Sequence, residues 1–349
     1  MINENVLIYG AYGYTGKLIV ELAVSKGYRP ALGGRNEEKV NSLAKQYNLE
    51  SHTFNYNDQK AWDDVLKGKT ILLNCAGPFS LTIKDILPAC LRNSVHYLDI
   101  TGEIDVFAFI KKSEQEAINN GLVLMPGTGF DVVPTDCLAL YLKEQMPDAT
   151  HLELAFDSKS GLSRGTALSV LNRFDQGSAS RVNGKIVPEK TASASKIIHF
   201  GGKDRLCVGI AWGDVFTAFQ TTKIPNIKVF TGMPEKMLKN MRKASKWAWL
   251  ITAWPVQQLL GIIVRNKIDG PSKEKRETVT TYLWGKVANA NGKTIEAELQ
   301  TPESYKLTAI TALMCVEGVL AGKVKPGYNT PAMAFGSDFI LGVEGTSRK

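Results

Sequence analysis

Short apolar runs alternate with stretches of helical periodicity through the first third of the chain. Val6-Leu7-Ile8-Tyr9 has the length of a buried strand; Leu18, Ile19, Leu22 and Ala23 then recur at helical spacing until Gly27 ends the pattern. A second strand over 30–34 leads into a helix from Asn36 to Tyr47, with Asn36 as N-cap and Val40, Leu43, Ala44 and Tyr47 on one face. A strand near His52–Tyr56 follows, then a helix capped by Asn57 or Asp58 that carries Trp62, Val65 and Leu66. Strands over Thr70–Cys75, His96–Ile100 and Leu122–Met125, separated by helices, complete the set. This alternation predicts an α/β fold, a Rossmann-type doubly wound parallel sheet, whose ligands sit outside the carboxyl ends of its strands.

The remaining sequence is strand-rich, with apolar runs at Leu152–Phe156, Val208–Trp212, Lys228–Phe230, Thr278–Val287 and Thr294–Gln300. Asn289-Ala290-Asn291-Gly292 lies between the last two, and its Asn-Gly step is a hairpin signal. Helices at Thr166–Phe174 and Tyr305–Leu320 are expected to cover this second sheet. At roughly 150 residues per domain, 349 residues predict two or three domains. The boundaries read as 1–130 for the Rossmann domain, 131–322 for an α+β substrate or dimerisation domain, and 323–349 for a tail.

The turn after the first strand holds the chemistry. Gly10-Ala11-Tyr12-Gly13-Tyr14-Thr15-Gly16 stands between strand and helix. There Gly10 permits the tight turn, Gly13 lets backbone approach a pyrophosphate, and Gly16 lets helix and strand pack closely. The phosphates then meet the N–H groups and positive end of the helix beginning near Tyr14. The second strand ends in Arg35-Asn36, with Lys39 one turn on, where an NAD site usually places a carboxylate for the ribose. Arg35 suits a 2′-phosphate, so NADP(H) is the expected cofactor. Cys75-Ala76-Gly77-Pro78, after the fourth strand, is expected to border it.

Composition narrows the classes. Hydrophobic residues at 44% and charged residues at 22% are ordinary globular values, which argues against a disordered chain. The five Cys are far apart with no CxxC pair, which argues against a disulfide scaffold and a zinc site, and the four His are scattered, so no metal is expected. The polar start runs straight into a strand and leaves no room for a signal peptide, so a cytoplasmic location is expected. A net charge of +8 is too small to imply nucleic acid without a patch.

Taken in order, GAYGYTG at 10–16, GGRN at 33–36, NCAGPF at 74–79, YLDITGE at 97–103 and PGTGFDVVPTD at 126–136 resemble the saccharopine dehydrogenase-like oxidoreductases. Within them, the sequence most resembles the branch that contains the trans-acting enoyl reductases of bacterial lipid synthesis. Ser163-Arg164-Gly165-Thr166, Ile224-Pro225-Asn226-Ile227, and Gly327–Ala332 with Phe335–Phe339 extend the likeness over nearly the whole chain. The resemblance implies an NADP-binding Rossmann domain with an inserted α+β domain, to which the C-terminal tail returns. It does not imply a substrate, and no Arg cluster suited to saccharopine's carboxylates is legible.

Hydride transfer asks the protein for positioning, exclusion of water and a proton source. Tyr97 and Asp99 share a strand face that also suits plain core. Glu103, after Thr101-Gly102, reads either as an acid or as a carboxylate on a helix dipole. Asp131 follows Gly129-Phe130 at the domain junction and reads as site or structural turn. Arg164 and Thr166 open a helix that could hold an anion or thioester carbonyl, or be a capped helix with a solvated Arg. No Ser/His/Asp or Cys/His arrangement is legible, and Cys75 reads as a small buried residue.

From Lys236 to Arg276 there are ten Lys/Arg and two Asp/Glu, a local net charge equal to that of the whole chain. They flank Trp247–Val264, an apolar run interrupted by Pro255, Gln257, Gln258 and Gly261. Three readings follow: docking on an anionic membrane surface or entry of a lipid-like substrate, a core or homodimer helix, and a true span. The sequence thus predicts an NADP(H)-dependent oxidoreductase reducing a C=C or C=O/C=N bond of a lipophilic or acyl-type substrate. The alternatives are a non-catalytic NADP(H) scaffold or sensor at a membrane, and a saccharopine-type amino-acid dehydrogenase.

Overall fold

The computed structural model describes residues 2–172, 174 and 177–349, and the side chain of Arg265 is outside that description. Two compact units emerge, one formed by Met1–Val133 with Tyr305–Phe335 and the other by Pro134–Ser304 with Gly336–Lys349.

In the first unit the chain runs β1 (Val6–Tyr9), α1 (Tyr14–Ser25), β2 (Ala31–Gly34), α2 (Glu37–Tyr47), β3 (Ser51–Thr53) and α3 (Gln59–Val65). It continues through β4 (Ile71–Asn74), α4 (Phe79–Arg92), β5 (His96–Asp99), α5 (Ile104–Lys111), α6 (Glu114–Asn119) and β6 (Val123–Met125). Caps follow the local sequence: Asn36 Oδ1 accepts from Lys39 N at 2.9 Å, and Asp58 Oδ1 from Ala61 N at 3.0 Å. The strands pair in parallel, and β1 lies between β2 and β4. The chain therefore leaves β3 and crosses to the far side of β1, which makes the carboxyl ends of β1 and β4 the switch point where ligands bind. Leu7, Ile8, Leu32, Ile71, Leu72, Leu73 and Leu98 are fully buried, as strands covered on both faces require. Trp62 locks α3 onto this sheet, its ring 4.8 Å from Tyr9 and 4.6 Å from Phe54.

The chain then forms α7 (Val133–Gln145), β7 (Ala149–Asp157), α8 (Arg164–Asn172), β8 (Ser178–Val182), β9 (Lys185–Glu189), β10 (Ser195–Phe200) and β11 (Lys203–Gly209). Next come α9 (Asp214–Thr222), β12 (Asn226–Gly232), α10 (Glu235–Ser245), α11 (Ala248–Ile251), α12 (Trp254–Lys267), α13 (Lys273–Thr278), β13 (Thr281–Asn289) and β14 (Thr294–Thr301). The last elements are α14 (Ser304–Leu320), β15 (Gly327–Tyr328), α15 (Pro331–Phe335) and β16 (Ser347–Arg348), with a 3-10 turn over Phe339–Gly342. The second sheet is mixed, in the order β10-β11-β12-β7-β13-β14-β16, with only β12 and β7 parallel along that path. Its core gathers Ala155, Phe200, Cys207, Phe230 and Trp284.

Asn289–Gly292 is the expected hairpin, with Asn289 Oδ1 accepting from Asn291 N and Lys293 N and Gly292 at φ +80°. Several features differ from expectation. Thr278 ends α13 rather than opening a strand, because Ser272 caps a helical turn there. The strands β8 to β10 carry few buried apolar residues and leave no apolar run to read. Most of the helix expected on the second sheet, α14, belongs instead to the first unit. There Thr308 Oγ1 accepts from Phe130 N at 3.0 Å and Thr311 Oγ1 donates to Thr128 O at 2.7 Å. These bonds satisfy the loop after β6, which a purely apolar helix could not do. The tail divides as well: β15 adds to β6 in parallel, whereas β16 pairs with β14. The helix expected at Thr166–Phe174 starts two residues earlier, and Arg173 within that range is outside the described residues.

Candidate functional site

The switch point is built by glycines. Gly10 has φ +80°, and a Cβ there would lie 2.7 Å from Ala76 N and 2.8 Å from the Cys75 carbonyl carbon. The turn after β1 and the turn after β4 thus meet backbone to backbone, which no side chain permits. Gly16 is held as tightly, since a Cβ on it would sit 2.4 Å from Gly10 O. Gly13 is the extended N-cap of α1; its N–H donates to Gly10 O at 3.0 Å. Among the described residues α1 has no side-chain cap and no acidic side chain in its first turn, which contains Tyr14, Thr15 and Gly16. A helix start of this kind, facing a cradle that a Cβ would fill, fits a pyrophosphate.

Around it, the Tyr12 ring lies over Gly34 at the end of β2, and Tyr14 packs edge-on to Tyr305 at 5.0 Å. Arg35, Asn36 and Lys39 are exposed, with the Asn36 side chain committed to the α2 cap. Arg35 and Lys39 therefore present two exposed cations at the end of β2 and the start of α2. Cys75 N donates to Tyr9 O at 2.7 Å, and Asn74 Oδ1 accepts from Ala76 N at 3.0 Å. The Gly77–Pro78 peptide is cis. Burial pushes the Cys75 thiol well up, so it stays protonated and is no nucleophile.

An acidic network lies at the ends of β5 and β6. Tyr97 is fully buried and donates its hydroxyl to Asp99 Oδ2 at 2.8 Å while accepting from Asn74 Nδ2 at 3.2 Å. Asp99 Oδ1 accepts from Thr101 N and Gly127 N. Burial raises Asp99 to about 6, opposed by those two backbone donors. Tyr97 and Asp99 thus fasten three strand ends together. Asn74, which reads only as part of a strand end, is the bridge to them.

Glu103 turns away from its own helix. Its Oε1 accepts from Phe79 N at 2.9 Å and its Oε2 from Ser80 N at 3.1 Å, so the carboxylate caps α4. Asp131 is half-buried above Gly102, where a Cβ would come 2.4 Å from Asp131 Oδ2. Burial, with the Glu103 charge second, raises Asp131 to about 7. Replacing Glu103 by Gln should remove one charge-assisted bond to α4. A loss of about 1–3 kcal/mol of stability and a lower Asp131 pKa are expected, read by denaturant titration and carboxyl NMR.

In the second unit Arg164 is bonded to the segment after α12. Its Nη2 pairs with Asp269 Oδ1 at 2.8 Å and its Nε donates to Ile268 O at 3.2 Å. Ser163 Oγ accepts from Thr166 N at 3.3 Å and lies 3.1 Å from Thr166 Oγ1, which is the geometry of a capped helix. No cluster of three or more His, Cys, Asp or Glu suited to a metal occurs among the described residues.

A parallel sheet with this switch point and glycine cradle defines a dinucleotide-binding unit of the kind that serves oxidoreductases. Residues 6–125 match the family model for the saccharopine dehydrogenase NADP binding domain. Among curated relatives, the saccharopine dehydrogenase-like oxidoreductase of Homo sapiens is 24% identical over 162 residues, 41% of this chain and 38% of the relative. The trans-acting enoyl reductase of Mycobacterium leprae is 29% identical over 143 residues, 38% of this chain and 34% of the relative. The lipid droplet localized protein of Caenorhabditis elegans is 26% identical over 171 residues, 44% and 39% respectively. The chain thus matches well under half the length of these relatives. Over its whole length it shares the fold of the saccharopine dehydrogenase (L-Glu forming) of Saccharomyces cerevisiae, with TM-score 0.66 at 13% identity, covering 100% of this chain and 99% of that one.

Proposed function

We propose that the chain is an NADP(H)-dependent oxidoreductase that reduces a C=C or C=O/C=N bond of a lipophilic or acyl-type substrate, with Asp131 as the proton source. When bound, NADPH supplies a hydride; the protein must then deliver one proton to the atom that becomes negative. The observation that carries this reading is a carboxyl raised to about 7 in the same unit as the glycine cradle, over the strand ends where ligands of such sheets lie. A group titrating near neutrality is protonated often enough to donate and acidic enough to let go. Glu103 acts through Asp131, since its charge disfavours ionisation of the neighbouring carboxyl. Tyr97 and Asp99 hold the loops that carry Gly102 and Gly127. The lipophilic substrate class is supported by the names of the mycobacterial and nematode relatives.

Fluorescence titration with NADPH and NADH, then cofactor consumption against acyl thioesters, ketones and 2-oxo acid with amino acid pairs, tests the reading. Tight NADPH binding without oxidation across the panel would instead favour a cofactor-binding scaffold. Turnover confined to the amino-acid pairs would favour a saccharopine-type dehydrogenase. Arg35→Ala should lower the preference for NADPH over NADH by roughly tenfold to a hundredfold, the worth of charge-assisted bonds to a phosphate. An unchanged affinity ratio would remove Arg35 from the cofactor site.

A further inference from the structure

On most helices of a water-soluble unit the apolar stripe faces inward. On α12 apolar side chains also face outward. Trp254, Leu259, Ile262 and Ile263 are all exposed, Trp254 to 73%, and together they occupy one half of the helix circumference. The other side is apolar too, with half-buried Val256, Leu260 and Val264 beside the buried Gly261, and Gln257 there donates its amide to Asn172 Oδ1 on α8 at 3.3 Å. The short α11 adds Trp249, 69% exposed. Apolar side chains of this size gathered on one open face mark an interaction surface.

The helix leading into this face supplies charge. On α10, Leu238 is buried and Met241 packs beside it, which turns Lys236, Lys239, Lys243 and Lys246 to the surface. Glu235 pairs with Lys239, and Arg242 is bound to Ala192 O and Ser195 Oγ, leaving Lys236, Lys243 and Lys246 as the cations to vary. Lys236–Arg276 carries ten basic and two acidic residues, the equal of the chain's entire net charge of +8. A second copy docking through this face would set two such positive surfaces against each other, and like charges across an interface oppose association. No helix among the described residues is long and apolar enough to cross a membrane, which removes the spanning reading. What remains complementary is a surface that is anionic outside and apolar just beneath.

We infer that α10–α12 form a docking surface for an anionic phospholipid bilayer. Trp249, Trp254, Leu259, Ile262 and Ile263 enter the boundary between headgroups and acyl chains, and the α10 lysines meet the phosphates. This surface stands on its own residues, independent of the reaction assigned to the first unit.

The test is co-sedimentation of the full chain with phosphatidylcholine vesicles, with and without phosphatidylglycerol, together with tryptophan emission. Binding to the anionic vesicles, weakened by salt and accompanied by a blue shift, is expected. The Lys236→Glu, Lys243→Glu, Lys246→Glu triple variant should bind at least about a hundredfold more weakly, given the contribution of each cation near such a surface. Trp254→Ser with Ile262→Ser should abolish the blue shift. Unchanged NADPH affinity and melting would show that both variants are folded. Equal vesicle binding by parent and triple variant would overturn the inference, as would no binding by the parent. A dimer that the Trp254→Ser, Ile262→Ser variant dissolves, without vesicle binding by the parent, would assign the face to a second copy instead.

Discussion

Asp131→Asn is expected to lower NADPH-driven turnover by about a hundredfold to ten-thousandfold, the usual worth of a positioned general acid. The loss should fall on turnover rather than on NADPH affinity, because the glycine cradle and Arg35 are untouched. In the parent, turnover should decline as pH rises through about 7, where the Asp131 proton is lost. The variant should lack that limb. Stability provides a second readout that needs no substrate. The folded-state pKa of Asp131 is raised, so from about pH 4 to about pH 7 the folded chain keeps a proton that the unfolded chain has released. Its stabilising contribution is therefore complete at the acidic end and lost as pH rises through that window. Asn, which cannot ionise, should leave stability near pH 4 almost unchanged and raise it at pH 8 by on the order of 4 kcal/mol. Urea titrations at both pH values check this. Parent-like turnover with the basic limb retained would remove Asp131 from the proton step.

Gly10→Ala should weaken NADPH binding by at least about tenfold and cost about 1–3 kcal/mol of stability, from an L side chain at positive φ. Two effects act there, and a second glycine separates them. Gly27, just past α1, has φ +79°, nearly that of Gly10, yet a Cβ on it meets nothing within 4 Å. Gly27→Ala should therefore show the backbone strain alone, with NADPH affinity unchanged. At Gly10 the new methyl would also part the turns after β1 and β4, since it would lie 2.7 Å from Ala76 N. Isothermal titration of both variants beside the parent checks the comparison. Equal affinities for all three would mean that the close approach at Gly10 does not shape the cofactor site.

Where a feature depends on neighbours in the chain, it was readable from the residues. The Val6–Tyr9 strand, the glycine turn, the Asn36 and Asp58 caps and the Asn289–Gly292 turn all formed as their local chemistry predicts. Arg35 stands at the end of β2 because strand length and turn set its place. The hairpins over 178–209 escaped because few of their positions are buried and apolar residues such as Val182, Ile186, Val187 and Ile197 are exposed, so polarity there does not alternate with burial.

The sequence alone determined the order of elements, the cofactor turn and the concentration of positive charge between Lys236 and Arg276. Periodicity, capping and turn preference act over a few residues and identify which face of an element is apolar. They do not name what that face will meet. Only the tertiary structure decided that Glu103 caps α4 rather than its own helix, across 24 residues of chain to Phe79. It alone placed Asp131 over Gly102, brought Thr308 and Thr311 of α14 to the loop after β6, and left Trp254, Leu259, Ile262 and Ile263 of α12 exposed. Each of these outcomes depends on which surfaces pack together across long chain separations, a sum over many weak contacts that no local pattern records.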